Sequence, residues 1–157
     1  MDTFFVTRNT SGKKKGRRTT SKRGHTCCQL FITDKGFIYV VLMKTKKEDP
    51  QAVKQFAKEI GAPDAIIFDA AGEQTSGALR ECFHNIGTTL QVFEEGTHWA
   101  NKAELYIGLL KESVSKYMKE SNAPLVFWDY CVERRSRINN LTAKTNMFQL
   151  HGSNAHT

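Results

Sequence analysis

The chain has 157 residues, enough for one domain with a single buried core. Hydrophobic residues make up 39% and charged residues 25%, the balance of a soluble globular protein. No run approaches the ~20 apolar residues of a transmembrane helix, and the N-terminus lacks the charged-then-apolar-then-small order of a secretory signal. The formal net charge of +7 favours a polyanionic partner, either nucleic acid or an anionic membrane surface.

Much of that charge is local. Seven of the twelve residues from Lys13 to Gly24 are Lys or Arg, and outside this block the charge is nearly balanced. The four cysteines, Cys27, Cys28, Cys82 and Cys131, show no C-x-x-C spacing, so neither a zinc clip nor a disulfide framework is expected. A reducing compartment, nucleus or cytoplasm, is expected instead.

In chain order, aromatic and β-branched residues predict a strand over Thr3–Thr7. Asn9–Gly24 is polar, glycine-punctuated and basic, and predicts a loop. Thr26–Thr33 predicts a second strand, on which Cys27 and Cys28 point to opposite faces. Asp34-Lys35-Gly36 is a turn, and Phe37–Met43 predicts a third strand, closing an antiparallel meander.

Asp49 as N-cap and Pro50 in the first turn open a helix with the stripe Val53, Phe56, Ala57 and Ile60, stopped by Gly61. Ala65–Phe68 predicts a fourth strand. Thr75 or Ser76 caps a second helix with the stripe Leu79, Cys82, Phe83 and Ile86. Thr88–Phe93 is a fifth strand. A third helix runs from about Trp99 to about Glu120 on Ala103, Ile107, Leu110, Val114 and Tyr117. Pro124 opens a fourth, with Phe127, Trp128, Cys131 and Ile138, and with Glu133 and Arg137 as an i, i+4 pair.

Three strands, helix, strand, helix, strand, helix, helix is an α/β order. A strand returning through a crossover helix pairs parallel by a right-handed connection. The fourth strand is therefore expected beside the first, which would bring acids at their ends together. Asp2 lies on the first strand and Asp69 ends the fourth. Glu104 sits near the start of the third helix, with thirty-four residues between it and Asp69. Three converging carboxylates need cations, and all-oxygen ligands suit Mg²⁺ or Mn²⁺. Two such ions can clamp the attacking and leaving oxygens of an in-line phosphoryl displacement. Gly108 and Lys111 share the helix face of Glu104, where one would admit a phosphate backbone and the other neutralise it. Lys13, Lys14, Lys15, Arg17 and Arg18 are candidate DNA contacts in the basic segment.

Several motifs then coincide. Lys44-Thr-Lys-Lys-Glu48 is similar to K-x-K-[SD]-E, Asp69-Ala-Ala-Gly-Glu73 to D-x-G-x-E, and Asn101-Lys-Ala-Glu104 to N-G-x-x-E. Phe127-Trp128, with Asn140 twelve residues after the tryptophan, is similar to a terminal F-W…N helix. In this order they resemble the catalytic core of copia-type retrotransposon integrases, within the DDE group of retroviral integrases and transposases. The resemblance covers essentially the whole chain, residues 1–157, as one integrase core-like domain with a basic loop at 9–24. It implies a ribonuclease H-like fold with a five-stranded mixed sheet flanked by helices.

The resemblance also implies a metal triad of Asp2, Asp69 and Glu104, with Asn101 near the DNA. The implied chemistry is 3′-end trimming followed by strand transfer into target DNA, by a homo-oligomer cut from a polyprotein. The sequence departs from the pattern in places. Thirty-four residues rather than thirty-five separate the last two acids, the glycine after Asp69 is one position late, and the half-strand before Asp2 is missing, as in an N-terminally truncated core. A catalytically impaired nucleic-acid-binding remnant and a purely hydrolytic nuclease of the same fold are the alternative expectations.

Overall fold

The computed structural model describes residues 2–5, 7–8, 17–33, 35–69, 77–93 and 98–142. In chain order the elements are β1 (Asp2–Phe5), β2 (Thr7–Arg8), β3 (Arg17–Arg18), β4 (Cys27–Ile32), β5 (Ile38–Met43), α1 (Asp49–Glu59), β6 (Ala65–Asp69), α2 (Gly77–Asn85), β7 (Thr89–Phe93), α3 (His98–Glu120) and α4 (Trp128–Leu141). Short 3-10 turns, Lys46–Glu48 and Leu125–Phe127, lead into α1 and α4.

The expected meander is present, with β4 central and antiparallel to β1 on one edge and β5 on the other. Gly36, at φ +82°, makes the tight reversal between β4 and β5, a conformation that costs glycine nothing. The single five-stranded sheet is a different matter. Among the described residues the ladders are β1–β4–β5, β2–β3 and β6–β7, and no ladder joins β6 to β1. β6 pairs in parallel with β7 instead, Ala65 opposite Thr89 through Asp69 opposite Phe93. The crossover through α2 gives β6 this parallel neighbour, whereas β1 offers only four residues and commits an edge to β4.

β4 separates two cores because successive side chains alternate faces. Cys27 and Phe31 face Val53 and Phe56 of α1, Ile66 of β6, and Leu79 and Phe83 of α2. Cys28 and Leu30 face Ile107, Leu110 and Val114 of α3, and Trp128 and Val132 of α4. The strands are thus covered by α1 and α2 on one face and by α3 and α4 on the other. Burying Phe83, Leu79, Val53 or Leu30 contributes about 1.5–3 kcal/mol each relative to exposure.

Several local expectations shift. Asp49 is not an N-cap: it is the first residue of α1 and is buried, while Glu48 takes the cap position. Ile60 lies just past α1 and is 45% exposed. On α3 the buried stripe runs Ile107, Leu110, Val114, Met118, and Tyr117 faces out, because 3.6 residues per turn carries the stripe by i+4 at its end. Thr75 and Ser76, the expected cap of α2, and Asp34 of the turn lie outside the described residues.

Candidate functional site

Asp2 opens β1 opposite Leu30 of β4. Leu30 packs in the same core as Ile107 and Leu110, which lie one to two turns beyond Glu104 on α3. Asp69 ends β6 opposite Phe93, the last residue of β7. The chain that leaves Phe93 becomes α3 at His98, and Glu104 is exposed in the second turn of that helix. Backbone topology therefore sets Asp69 at the strand ends that feed the Glu104 helix, and sets Asp2 on a strand bonded to the sheet on which α3 packs. The side chains of Asp2 and Asp69 lie outside the described residues, and among the described residues no three His, Cys, Asp or Glu side chains form a metal-holding group. The donor set itself, three carboxylates, fits a hard divalent cation and no soft one.

On α3, Glu104, Gly108 and Lys111 are all exposed and follow one another at i, i+4 and i+7, beside the buried Ile107–Leu110–Val114 stripe. A Cβ placed on Gly108 would meet nothing within 4 Å. Helix packing therefore does not require glycine there, and the position is open to a ligand. Asn101 is within α3, and its side chain lies outside the described residues.

The basic segment is only partly the loop expected over 9–24. Arg17 and Arg18 form β3, paired with Arg8 and Thr7 of β2. Lys13, Lys14 and Lys15 lie outside the described residues, and Arg18 is exposed. After Arg18 the chain becomes a strap over α4. The Trp128 indole N–H donates to the Thr19 carbonyl (3.1 Å), and the Lys22 amide N–H donates to the Val126 carbonyl (2.7 Å).

Arg23 then turns inward. Its Nε lies 2.7 Å from Asp129 Oδ2 and its Nη2 lies 2.9 Å from Glu133 Oε2. The guanidinium sits 4.0 Å from the centre of the Tyr130 ring. Glu133 is thus held by Arg23 and not by Arg137, which makes no ion pair among the described residues. The i+4 spacing permits a Glu133–Arg137 pair, but the strap supplies a bound partner with part of its cost already met by the adjacent Asp129 contact.

Asp129 is fully buried, and His25 Nδ1 lies 2.9 Å from the same Oδ2. An ionised carboxylate only accepts, so Nδ1 carries the proton. Burial would raise the Asp129 pKa, but hydrogen bonds from His25, Arg23 and Ser21 outweigh it and hold the carboxyl below its usual value. Asp129 also lies in the first turn of α4, where a negative charge complements the helix dipole. No local spacing marks this cluster, since Arg23 and Asp129 are separated by 106 positions. A helical aspartate followed by glutamate at i+4 is the one signal available in the sequence.

At the other end of α4, Asn140 is buried and grips the outer edge of β5. Its Oδ1 accepts from the Ile38 amide (2.8 Å) and its Nδ2 donates to the Ile38 carbonyl (2.6 Å). Asn140 thereby satisfies the edge groups that another strand would otherwise take.

No protein-family model matches the sequence, and no curated protein matches it. The structure does have solved counterparts, retroviral integrase catalytic cores among them. The magnesium complex of the HTLV-2 integrase catalytic core domain in its trimeric form matches with a TM-score of 0.65 at 16% identity, covering 89% of this chain and 88% of that one. The dimeric form matches with a TM-score of 0.63 at 19% identity, covering 82% and 85%. A chain of the simian T-cell lymphotropic virus intasome in complex with PP2A regulatory subunit B56 gamma matches with a TM-score of 0.68 at 18% identity, over 87% of this chain. The present chain spans 52% of that intasome chain. The fold is that of the integrase catalytic core.

Proposed function

We propose that this chain is the catalytic core of a copia-type retrotransposon integrase, processing and joining DNA ends by divalent-metal-dependent phosphoryl transfer. One observation carries the reading: within an integrase-core fold, β6 ends on Asp69 beside the strand that leads into α3, and α3 exposes Glu104. Asp2, on the strand bonded to β4, is the third ligand in this reading. Magnesium in the HTLV-2 core complexes supports a hard divalent cation, Mg²⁺ or Mn²⁺, here. When bound, such an ion supplies Lewis-acid stabilisation of charge developing on phosphoryl oxygens.

The chain's own residues supply position. Asp69 ends a strand and Glu104 stands on a helix, so regular secondary structure carries both residues. Gly108 leaves room for a phosphate backbone one turn beyond Glu104, and Lys111 carries positive charge along the same face. Asn101 precedes Glu104 by one turn, and the arm with Lys13, Lys14, Lys15, Arg17 and Arg18 adds polyanion contacts. The dimeric and trimeric HTLV-2 core forms support a homo-oligomer as the working state, and nucleus or cytoplasm is the proposed location.

The test is direct. Purified protein with element-end DNA and Mn²⁺ or Mg²⁺ should give trimmed and joined products, and Asp69→Asn or Glu104→Gln should abolish both. Full activity in either variant overturns the triad. Cut but never joined products identify a hydrolytic nuclease, and metal-independent binding without products identifies a remnant.

A further inference from the structure

Gln29 lies in the middle of β4, the central strand of the meander, and is fully buried. Its neighbours on that face, Cys27 and Phe31, belong to the apolar core under α1 and α2. Gln29 Oε1 accepts from the Thr3 hydroxyl of β1 at 2.6 Å, and its Nε2 has no hydrogen-bond partner. A buried amide with one end unpaired destabilises a fold relative to an apolar side chain of similar size. Stability therefore does not account for glutamine at this position.

Register does. Phe4 and Phe5 are consecutive, so apolar alternation does not mark one face of β1 as the buried one. The ladder to β4 is four residues long, from Asp2 opposite Leu30 to Phe5 opposite Cys27. In it Thr3 stands opposite Gln29, and Asp2 shares the face of Leu30, which packs with Ile107 and Leu110 of α3. A slip of one residue in either direction sets Asp2 opposite Gln29 or Phe31 and moves it to the α1 and α2 face. A slip of two keeps the face but carries Asp2 about 7 Å along the strand. These slips bring Met1, Asp2, Phe4 or Phe5 opposite Gln29 in place of Thr3. Three of the four are apolar and leave the amide with no partner, and the fourth carries a carboxylate into an apolar core.

We propose that Thr3 and Gln29 are positioning residues: their buried hydrogen bond pins the register of β1 on β4 and so keeps Asp2 on the face that α3 covers. A buried polar contact can select one register among several while costing stability. The pin itself needs no metal. Its effect on chemistry rests on the proposed role of Asp2 as a metal ligand.

Thr3→Val/Gln29→Leu removes both polar partners and keeps their shape, so the urea midpoint should equal or exceed that of wild type. Cross-strand nuclear Overhauser contacts in the isotope-labelled full chain read the register directly. Wild type should show one set, with Asp2 against Leu30. The double variant should add a second set, with Asp2 against position 29 or Phe31. With element-end DNA and Mn²⁺ its joining rate should fall at least about twofold, in step with the share of molecules in the second register, while KM for the DNA is unchanged. Thr3→Ser keeps the hydroxyl and should keep the wild-type register and rate. A single register in the double variant overturns the proposal. So does a lower urea midpoint in the double variant, which would make the pair a device for stability. A second register with full joining activity instead removes Asp2 from the metal site, and leaves the pin in place.

Discussion

Arg23 Nε meets Asp129 Oδ2 at 2.7 Å, joining the end of the basic segment to the first turn of α4 across a fully buried carboxylate. This contact divides the basic block by role. Arg23 belongs to the framework, while Lys22 beside it stays exposed. Arg23 is 31% exposed and His25 also faces Asp129, so removing Arg23 leaves the buried carboxylate one partner short, at a cost of about 1–3 kcal/mol. Arg23→Met should therefore lose stability of that order in urea denaturation. Arg23→Met with Asp129→Leu should recover much of it, because no buried charge is left. A single variant within about 0.5 kcal/mol of wild type would mean that His25 alone satisfies Asp129.

The same carboxylate sets an acid limit. Burial opposes ionisation of Asp129, yet its hydrogen bonds to His25, Arg23 and Ser21 keep its folded pKa below the usual value. A depressed folded pKa contributes stability that is fully present above the unfolded value, about 3.9. That stability is lost as pH falls from there through the folded pKa. Urea midpoints should drop over this window in wild type. Asp129→Asn should be less stable at neutral pH and show a shallower decline below about pH 4. Parallel declines in the two proteins would show that other carboxylates govern the acid limit.

Asn140 explains a motif that spacing alone left unexplained. Its amide closes both Ile38 backbone groups at the edge of β5. Asn140→Ala leaves a buried amide N–H and carbonyl unpaired, each costing about 1–3 kcal/mol. Hydrogen exchange at the Ile38 amide should speed up far more than exchange at Phe31 in central β4. Uniform acceleration across the sheet would mean that Asn140 acts only on global stability.

These contacts mark where sequence reasoning stops. The stripe Val53–Phe56, the Leu79–Cys82–Phe83 face and the Ile107–Leu110–Val114 seam are periodic, so α1, α2 and α3 were legible from local spacing. So was the division of Cys27 and Cys28 between two cores, because strand side chains alternate. The β6–β7 ladder, the Arg23–Asp129 pair and the role of Asn140 depend on residues 24 to 106 positions apart, and no local pattern encodes such pairings. The α/β order of elements was legible and the strand bonding was not: no ladder joins the described strands into one five-stranded sheet. For the site, Asp69 and Glu104 fell at strand-end and helix-start positions because apolar runs delimit both elements. Convergence of acid side chains would be a tertiary property, which periodicity does not contain.

Tyr39 gives an alkaline counterpart. Burial, then the bond to Glu59 (2.6 Å) and that carboxylate's charge, push the Tyr39 pKa up to about 12. A raised folded pKa contributes stability fully present below the unfolded value of about 10. It is lost as pH rises through the folded value. Phenolate absorbance should show one of the four tyrosines titrating late, and Tyr39→Phe should remove that step. If all four titrate together, the Glu59 bond does not persist in solution.

Gly108 separates packing from ligand access most cleanly. Glycine in an exposed helix interior is about 1 kcal/mol worse than alanine. A Cβ at this position meets no atom within 4 Å, so the fold gains nothing from the glycine. Gly108→Ala should therefore raise the urea midpoint. If the glycine lets a phosphate backbone approach the helix beside Glu104, the same variant should weaken duplex DNA binding and reduce strand joining, with Gly108→Val worse still in both. Stability and activity then move in opposite directions, a split that a packing role cannot produce. A variant that is more stable and fully active would remove Gly108 from the DNA path and leave Lys111 as the sole phosphate contact on that face of α3.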